Sequence, residues 1–177
     1  IVTTAFCTNY LPKAITLAKS IKKHMPTAKV IGWLLERSLP QGSEKLDCFD
    51  ELLLVKDCLD FDLDYYIFRH NILEASTAIK GDLLKYVYRK YTTEDHFLYF
   101  DPDIQVFSDF PELSKALESH PIILTPHQLR CVDHYEMEVS SLEHGVYNLG
   151  FLGLSRSKIA ENLIDWFIDR LRIGCYN

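Results

Sequence analysis

Short apolar runs, rich in branched and aromatic residues, recur along the chain and predict β-strands. They lie at 1–6, 30–35, 51–55, 96–100, 122–124 and 146–154. Pro126 is expected to end the fifth run, and the polar segment 39–47 predicts a loop. Stretches with helical spacing separate several of these runs. This order predicts an α/β fold in which helices flank a mostly parallel sheet with right-handed connections.

Helical periodicity is clearest where apolar residues recur three or four positions apart. Helices are predicted after Pro12, over 65–75, 81–91 and 111–119, and after Ser157, which is expected to cap the last one. The faces expected to be buried are Ala14, Leu17, Ala18 and Ile21; Leu83, Leu84, Val87 and Tyr91; and Ile159, Leu163, Trp166, Phe167 and Leu171.

The composition is that of an ordinary globular protein. Its 177 residues are 47% hydrophobic and 25% charged, which suits a single domain spanning 1–177. The net charge of −6 argues against a nucleic-acid partner, because no basic surface is available for phosphates. No transmembrane stretch or signal peptide is recognisable, and the five cysteines form no Cys-x-x-Cys pair. We expect a cytoplasmic protein whose thiols are reduced. The protein could also associate with the periphery of a membrane.

Two carboxylates follow the fourth apolar run directly, in Asp101-Pro102-Asp103. If 97–100 is a buried strand, both side chains emerge at the edge where open α/β sheets bind ligands. The pair could belong to a solvated turn. It also suits a divalent cation that is shared with substrate phosphates, and such a cation would relieve the repulsion between the two charges.

Four further residues are candidates for ligand binding, and each has a structural alternative. Tyr10 could stack on a nucleobase or pack at a helix start. Lys80 could reach a diphosphate or be an exposed lysine. Asn148 could face substrate hydroxyls or satisfy nearby backbone, with Gly150 allowing close approach. His127 could face an acceptor or be a satisfied loop histidine.

These segments together resemble the GT-A class of nucleotide-sugar glycosyltransferases, especially glycogenin and the related bacterial galactosyl- and glucosyltransferases. The resemblance covers nearly the whole chain. It rests on the segments Ile1-Val2-Thr3-Thr4-Ala5 with Tyr10, Ala78-Ile79-Lys80, Phe97 to Ile104 with its Asp-x-Asp element, and Tyr147-Asn148-Leu149-Gly150-Phe151. It implies a Rossmann-like GT-A fold.

The resemblance also implies roles for individual residues. Asp101 and Asp103 would hold Mn²⁺ or Mg²⁺, and Lys80 would bind the diphosphate. The nucleoside would lie against Ala5, Phe6, Cys7 and Tyr10, with Pro102 in the same site, and Asn148 and Gly150 would line the sugar site. The late metal-binding His and the Asp-x-x-Gln element of such families are not recognisable before Asn177. Either they lie beyond it or the protein lacks them, and we predict that residues 1–177 are insufficient for efficient transfer. If the catalytic group does lie within them, His127 and Asp133 are the first candidates.

The expected function is therefore metal-dependent transfer of a sugar from a nucleotide-sugar, UDP-linked in the simplest case, to a saccharide, lipid or protein hydroxyl. A haloacid-dehalogenase-like phosphohydrolase is an alternative, since it also places Asp-x-Asp after an apolar strand. That motif normally lies on the first strand, however, whereas at least three predicted strands precede the strand that carries it here. A non-catalytic nucleotide-sugar-binding domain is the other alternative.

Overall fold

The computed structural model describes residues 1–60, 62–130 and 134–175, apart from the side chains of Glu44 and His144. Six strands of the described residues form one sheet, in the order β3-β2-β1-β4-β6-β5. Their bounds are Val2–Phe6 (β1), Val30–Leu34 (β2), Glu51–Leu54 (β3), His96–Phe100 (β4), Ile122–Pro126 (β5) and Tyr147–Ser155 (β6). Strands β1 to β4 are parallel, and β6 runs antiparallel to β4 and to β5. The predicted α/β class and mostly parallel sheet are confirmed.

Helices connect the strands and cover both faces of the sheet. Their bounds are Leu11–His24 (α1), Val55–Cys58 (α2), Leu63–Arg69 (α3), Ile72–Ala78 (α4), Lys80–Lys90 (α5), Pro111–Ser119 (α6), Tyr135–His144 (α7) and Lys158–Gly174 (α8). Short 3₁₀ turns occupy Thr8–Tyr10 and Ser43–Lys45, the second within the predicted loop. The sequence pattern did not predict α2 or α7.

Alternate residues of the strands contribute to two separate hydrophobic cores, because side chains along a strand point to opposite faces. Trp33 and Tyr99 lie in the core shared with α5 and α8. Phe6 and Phe100 lie in the core shared with α1. The parallel pairing of β1 with β4 brings the carboxyl ends of these two strands together. Ligands bind at such an edge in open α/β sheets.

The predicted helix over 65–75 was wrong in one respect, because it is two helices. The chain turns at His70 and Asn71, and Asn71 begins α4 as its N-cap. Its Oδ1 accepts the N–H of Glu74 at 2.9 Å, while Oε2 of Glu74 accepts the N–H of Asn71 at 2.8 Å. This reciprocal capping box satisfies two backbone donors that a helix start leaves unpaired. It separates α4 from α3.

The predicted face of α8 and the end of β5 also need correction. The buried residues of α8 are Ala160, Ile164 and Ile168, whereas Ile159 is 60% and Trp166 56% exposed. Apolar residues lie on two adjacent faces of α8, and packing against α5 selected the one with the smaller residues. Strand β5 continues two residues past the predicted Leu124 and ends at Pro126, which still pairs with Tyr147, as a strand at the edge of the sheet tolerates.

Candidate functional site

The Asp-Pro-Asp element forms a tight turn at the carboxyl end of β4. The N–H of Ile104 donates to the carbonyl of Asp101 at 3.1 Å, which places Pro102 at the second position of the turn, where proline is favoured. Pro102 is buried, Asp101 is partly exposed and Asp103 is exposed. The turn therefore presents two carboxylates at the edge of the sheet beside β1.

Lys80 reaches this turn from the first residue of α5. Its side chain is only 9% exposed, and its ammonium lies 2.8 Å from Oδ1 of Asp101. The same ammonium donates to the carbonyl of Leu149 on β6 at 3.3 Å. Lys80 is therefore not the exposed lysine of the structural alternative. It is a buried cation held beside Asp101.

Tyr99 contacts both of these charged groups. It precedes Asp101 by two residues and is fully buried in the core that α5 and α8 share with the sheet. Its hydroxyl donates to Oδ1 of Asp101 at 3.0 Å, and the Lys80 ammonium lies 4.8 Å from its ring centroid. Burial, followed by the charge and hydrogen bond of Asp101, raises the pKa of Tyr99 well above its usual value, so the phenol stays protonated. Tyr99 was not among the site residues predicted from the sequence, although its place two residues before Asp101 on a strand puts both on the same face.

Strand β6 supports Asp101 from the other side. The N–H of Asp101 donates to the carbonyl of Gly150 at 2.8 Å. A Cβ at Gly150 would lie 3.3 Å from Oδ2 of Asp101 and 2.8 Å from Oδ1 of Asn148, so the close approach favours glycine. Oδ1 of Asn148 accepts the N–H of Gly150 at 2.7 Å. In this structure Asn148 therefore satisfies local backbone, and its contact with substrate remains a prediction.

One cavity of about 330 Å³ brings most of the predicted residues together. Eight of them line it, namely Ala5, Phe6, Cys7, Tyr10, Lys80, Asp101, Pro102 and Asp103. The other lining residues are Asn9, Ile72, Leu73, Ser76, Thr77 and Tyr99. Helix α4 thus forms a wall that the sequence pattern did not assign to the site. Apolar and neutral groups lie at one end, near β1, and charged groups lie at the β4 end.

Tyr10 and Cys7 form the β1 side of this cavity. Tyr10 is 36% exposed, and the ammonium of Lys13 lies 4.3 Å from the centroid of its ring. The preceding turn is held by the N–H of Thr8, which donates to Oε1 of Glu36 at 2.8 Å. Burial, and then the negative charge of Glu36, raise the pKa of the Cys7 thiol, so this wall stays uncharged near neutral pH.

Three predicted residues do not line the cavity. Gly150 accepts the Asp101 N–H from β6 instead, and Asn148 accepts the N–H of Gly150. His127 lines a separate cavity of about 500 Å³ beside α7, and its Nδ1 lies 2.8 Å from the carbonyl of Gly145. That contact fits a satisfied loop histidine, and an acceptor role for His127 remains a prediction. Asp133 lies outside the described residues.

Asp101 and Asp103 suit a hard divalent cation, because both offer carboxylate oxygens. Both hydrogen bonds to the Asp101 side chain from described residues end on Oδ1. Over residues 1–60, 62–130 and 134–175, no cluster of three or more His, Cys, Asp or Glu side chains could hold a metal alone. An ion bound by this pair would have to complete its shell with substrate phosphates and water, and its binding stays a prediction.

The sequence matches no known family model and no curated protein. Solved structures do resemble the fold. The galactosyltransferase LgtC is 15% identical with a TM-score of 0.55, over 97% of this chain and 64% of LgtC. GlyE from Streptococcus pneumoniae TIGR4 is 19% identical with a TM-score of 0.58, over 98% of this chain and 38% of GlyE. Mouse xyloside xylosyltransferase 1 is 10% identical with a TM-score of 0.52, over 97% of this chain and 75% of that protein. This chain has the GT-A fold.

The GT-A fold agrees with the position of the Asp-x-Asp element. Three strands precede β4 along the chain, so the element does not lie on the first strand, as it does in phosphohydrolases of the haloacid-dehalogenase type. The chain spans about two-thirds of LgtC and less than half of GlyE. Within the described part of the chain, no helix combines the length and apolar character that a bilayer crossing requires.

Proposed function

We propose that this chain is the donor-binding domain of a metal-assisted glycosyltransferase that uses a nucleotide-sugar, with UDP as the nucleotide. The observation that carries the proposal is the single cavity shared by Tyr10, Lys80, Asp101 and Asp103. It combines an aromatic surface for a base with a buried cation and two carboxylates for a diphosphate. The GT-A fold supports the same proposal, and LgtC was solved in complex with donor and acceptor sugar analogs.

Each part of the cavity has a task in this proposal. Tyr10 stacks against the base, beside Ala5, Phe6 and Cys7. At the other end, Lys80 donates charge-assisted hydrogen bonds to diphosphate oxygens. A cation held by Asp101 and Asp103 would offset the charge that develops on the departing nucleoside diphosphate.

Fewer residues are assigned to the acceptor than to the donor in this proposal. In the proposal, a saccharide, lipid or protein hydroxyl approaches the sugar from the open side of the cavity. Ile72 and Leu73 of α4 give the cavity an apolar wall, and both residues are about two-thirds exposed, at 66% and 68%. The proposal assigns the catalytic group to none of the described residues.

Donor turnover tests the proposal directly. The full-length protein is incubated with a panel of UDP-sugars and Mn²⁺, and UDP release is measured with and without candidate acceptors. A parallel reaction contains a phosphate monoester. UDP release from one donor, without phosphate release from the ester, supports glycosyl transfer. Phosphate release alone supports the phosphohydrolase alternative, and tight UDP binding without turnover supports a non-catalytic binding domain.

A further inference from the structure

Tyr99 is the common neighbour of the two charged groups that the proposed function uses. Its hydroxyl donates to Oδ1 of Asp101, and its ring lies beneath the ammonium of Lys80. It sits in β4, in the middle of the sheet, and is only 2% exposed. A side chain with two rotatable bonds, buried in a central strand, holds its hydroxyl in a nearly fixed position.

The ammonium of Lys80 is less fixed in position than the hydroxyl of Tyr99. The Lys80 ammonium bonds to Oδ1 of Asp101, but its four-carbon stem allows the charge to move. A diphosphate in the cavity competes with Asp101 for this ammonium. When Lys80 turns to the phosphates, the hydroxyl of Tyr99 is the described side-chain donor that stays on Oδ1 of Asp101.

We propose that Tyr99 is a positioning residue that fixes the Asp101 carboxylate so that Oδ2 remains available to a divalent cation. This inference rests on the proposed function. Tyr99 acts through Asp101 and does not touch the cation. Hydrogen bonds to ligating carboxylates commonly orient them, and loss of such a bond typically costs roughly 10-fold or more in metal affinity.

Calorimetry of UDP binding with and without Mn²⁺ tests the role in the full chain, independently of turnover. The variant Tyr99→Phe keeps the ring under Lys80 and removes only the hydroxyl. Tyr91→Phe is the matched control, because the Tyr91 hydroxyl donates to a carboxylate oxygen of Glu51 at 2.5 Å, and neither residue lines the cavity. Thermal unfolding shows that each variant is folded at the temperature of the titration.

We expect Tyr99→Phe to reduce the Mn²⁺-dependent gain in UDP affinity by about 10-fold. Tyr91→Phe is expected to keep the full gain. Replacing Tyr99 by 4-aminophenylalanine, whose amine restores a donor at the same place, should recover most of the loss. If Tyr99→Phe does not fold, the Mn²⁺-dependent gain in UDP affinity is measured on the 4-aminophenylalanine variant instead.

Two other results overturn the inference, and they can be told apart. If the unchanged protein gains affinity from Mn²⁺ and Tyr99→Phe gains as much, Tyr99 is only structural and the proposed function stands. If the unchanged protein gains nothing from Mn²⁺, the shared cation in the proposed function fails together with the role of Tyr99.

Discussion

Lys80 and Asp101, 21 residues apart in sequence, form an ion pair of 2.8 Å at the charged end of the cavity. The pair compensates the charge of a nearly buried ammonium, which avoids the large cost of an unpaired buried charge. A divalent cation bound by Asp101, as proposed, would compete with Lys80 for one carboxylate. Nucleotide phosphates would relieve this competition, because they would offer Lys80 a second anionic partner.

Substituting Lys80→Met should therefore have opposite effects on two ligands. UDP affinity is expected to fall by about 10-fold, since a charge-assisted hydrogen bond to phosphate is lost. Affinity for Mn²⁺ alone is expected to rise, because Asp101 loses its competing cation. Both are measured by titration calorimetry. Lys115→Met, at an exposed lysine on α6, is the control and should change neither affinity. Weaker binding of Mn²⁺ alone to Lys80→Met would contradict the competition.

The variant Asp103→Asn should abolish the Mn²⁺ dependence of UDP binding and donor turnover while the fold stays intact. Asp103 is exposed and lines the cavity, so its substitution leaves no buried group without a partner. Circular dichroism and UDP titration are the two measurements. Asp109→Asn, an exposed aspartate a few residues along the chain, is the matched control. If Asp103→Asn unfolds, the carboxylate has a structural role. If its Mn²⁺ dependence is unchanged, it is not a metal ligand.

Gly81→Ala should destabilise the fold by about 1–3 kcal/mol, as is usual for a methyl group forced into a packed core. A Cβ at Gly81 would lie 2.8 Å from Cγ1 of Ile168 and 3.1 Å from its backbone N, so α5 and α8 would have to separate. Urea unfolding measures the loss. Gly174→Ala is the control, because a Cβ there meets no atom within 4 Å. Equal free energies of unfolding for the two variants would show that α5 and α8 separate without loss of stability.

Asp50 should make stability depend on pH in the acid range. Burial acts to raise the pKa of Asp50, but hydrogen bonds from Lys22 and the Val30 N–H, with the charge of Lys22, outweigh it and lower the pKa. A lowered pKa in the folded state stabilises the protein above the unfolded pKa, and this contribution is lost as the pH falls through the folded pKa. Asp50→Asn should therefore be less stable than the unchanged protein at pH 7.

The stability difference between the unchanged protein and Asp50→Asn should shrink as the pH falls from about 5 to 3, because Asp50 titrates only in the unchanged protein. Urea unfolding across that range is the measurement. Asp47→Asn, at a nearby exposed aspartate, is the control and should show little change. A difference that stays constant with pH would mean that the charge of Asp50 contributes no stability.

Local sequence pattern was sufficient for most of the strands and for the position of the Asp-x-Asp element. Strand β4 and helix α6 have the predicted bounds, and the other predicted strands shift by two residues or fewer at each end. These elements carry strong local signals, such as runs of branched or aromatic residues and a proline at a helix start. The break at Asn71 carries a local signal as well, the capping pattern Asn-x-x-Glu, although a single helix was predicted there.

Tertiary structure alone decided which residues meet. Nothing local places Lys80 against Asp101, or α4 and β1 around one cavity, because these arrangements depend on how helices pack across the sheet. The buried face of α8 shows the same limit. Its sequence offers two adjacent apolar faces, and close packing of Ile168 against Gly81 selects one of them. The chain's local chemistry thus determined the strands and the carboxylates at the end of β4, while long-range packing determined their partners, because burial depends on neighbours that are remote in sequence.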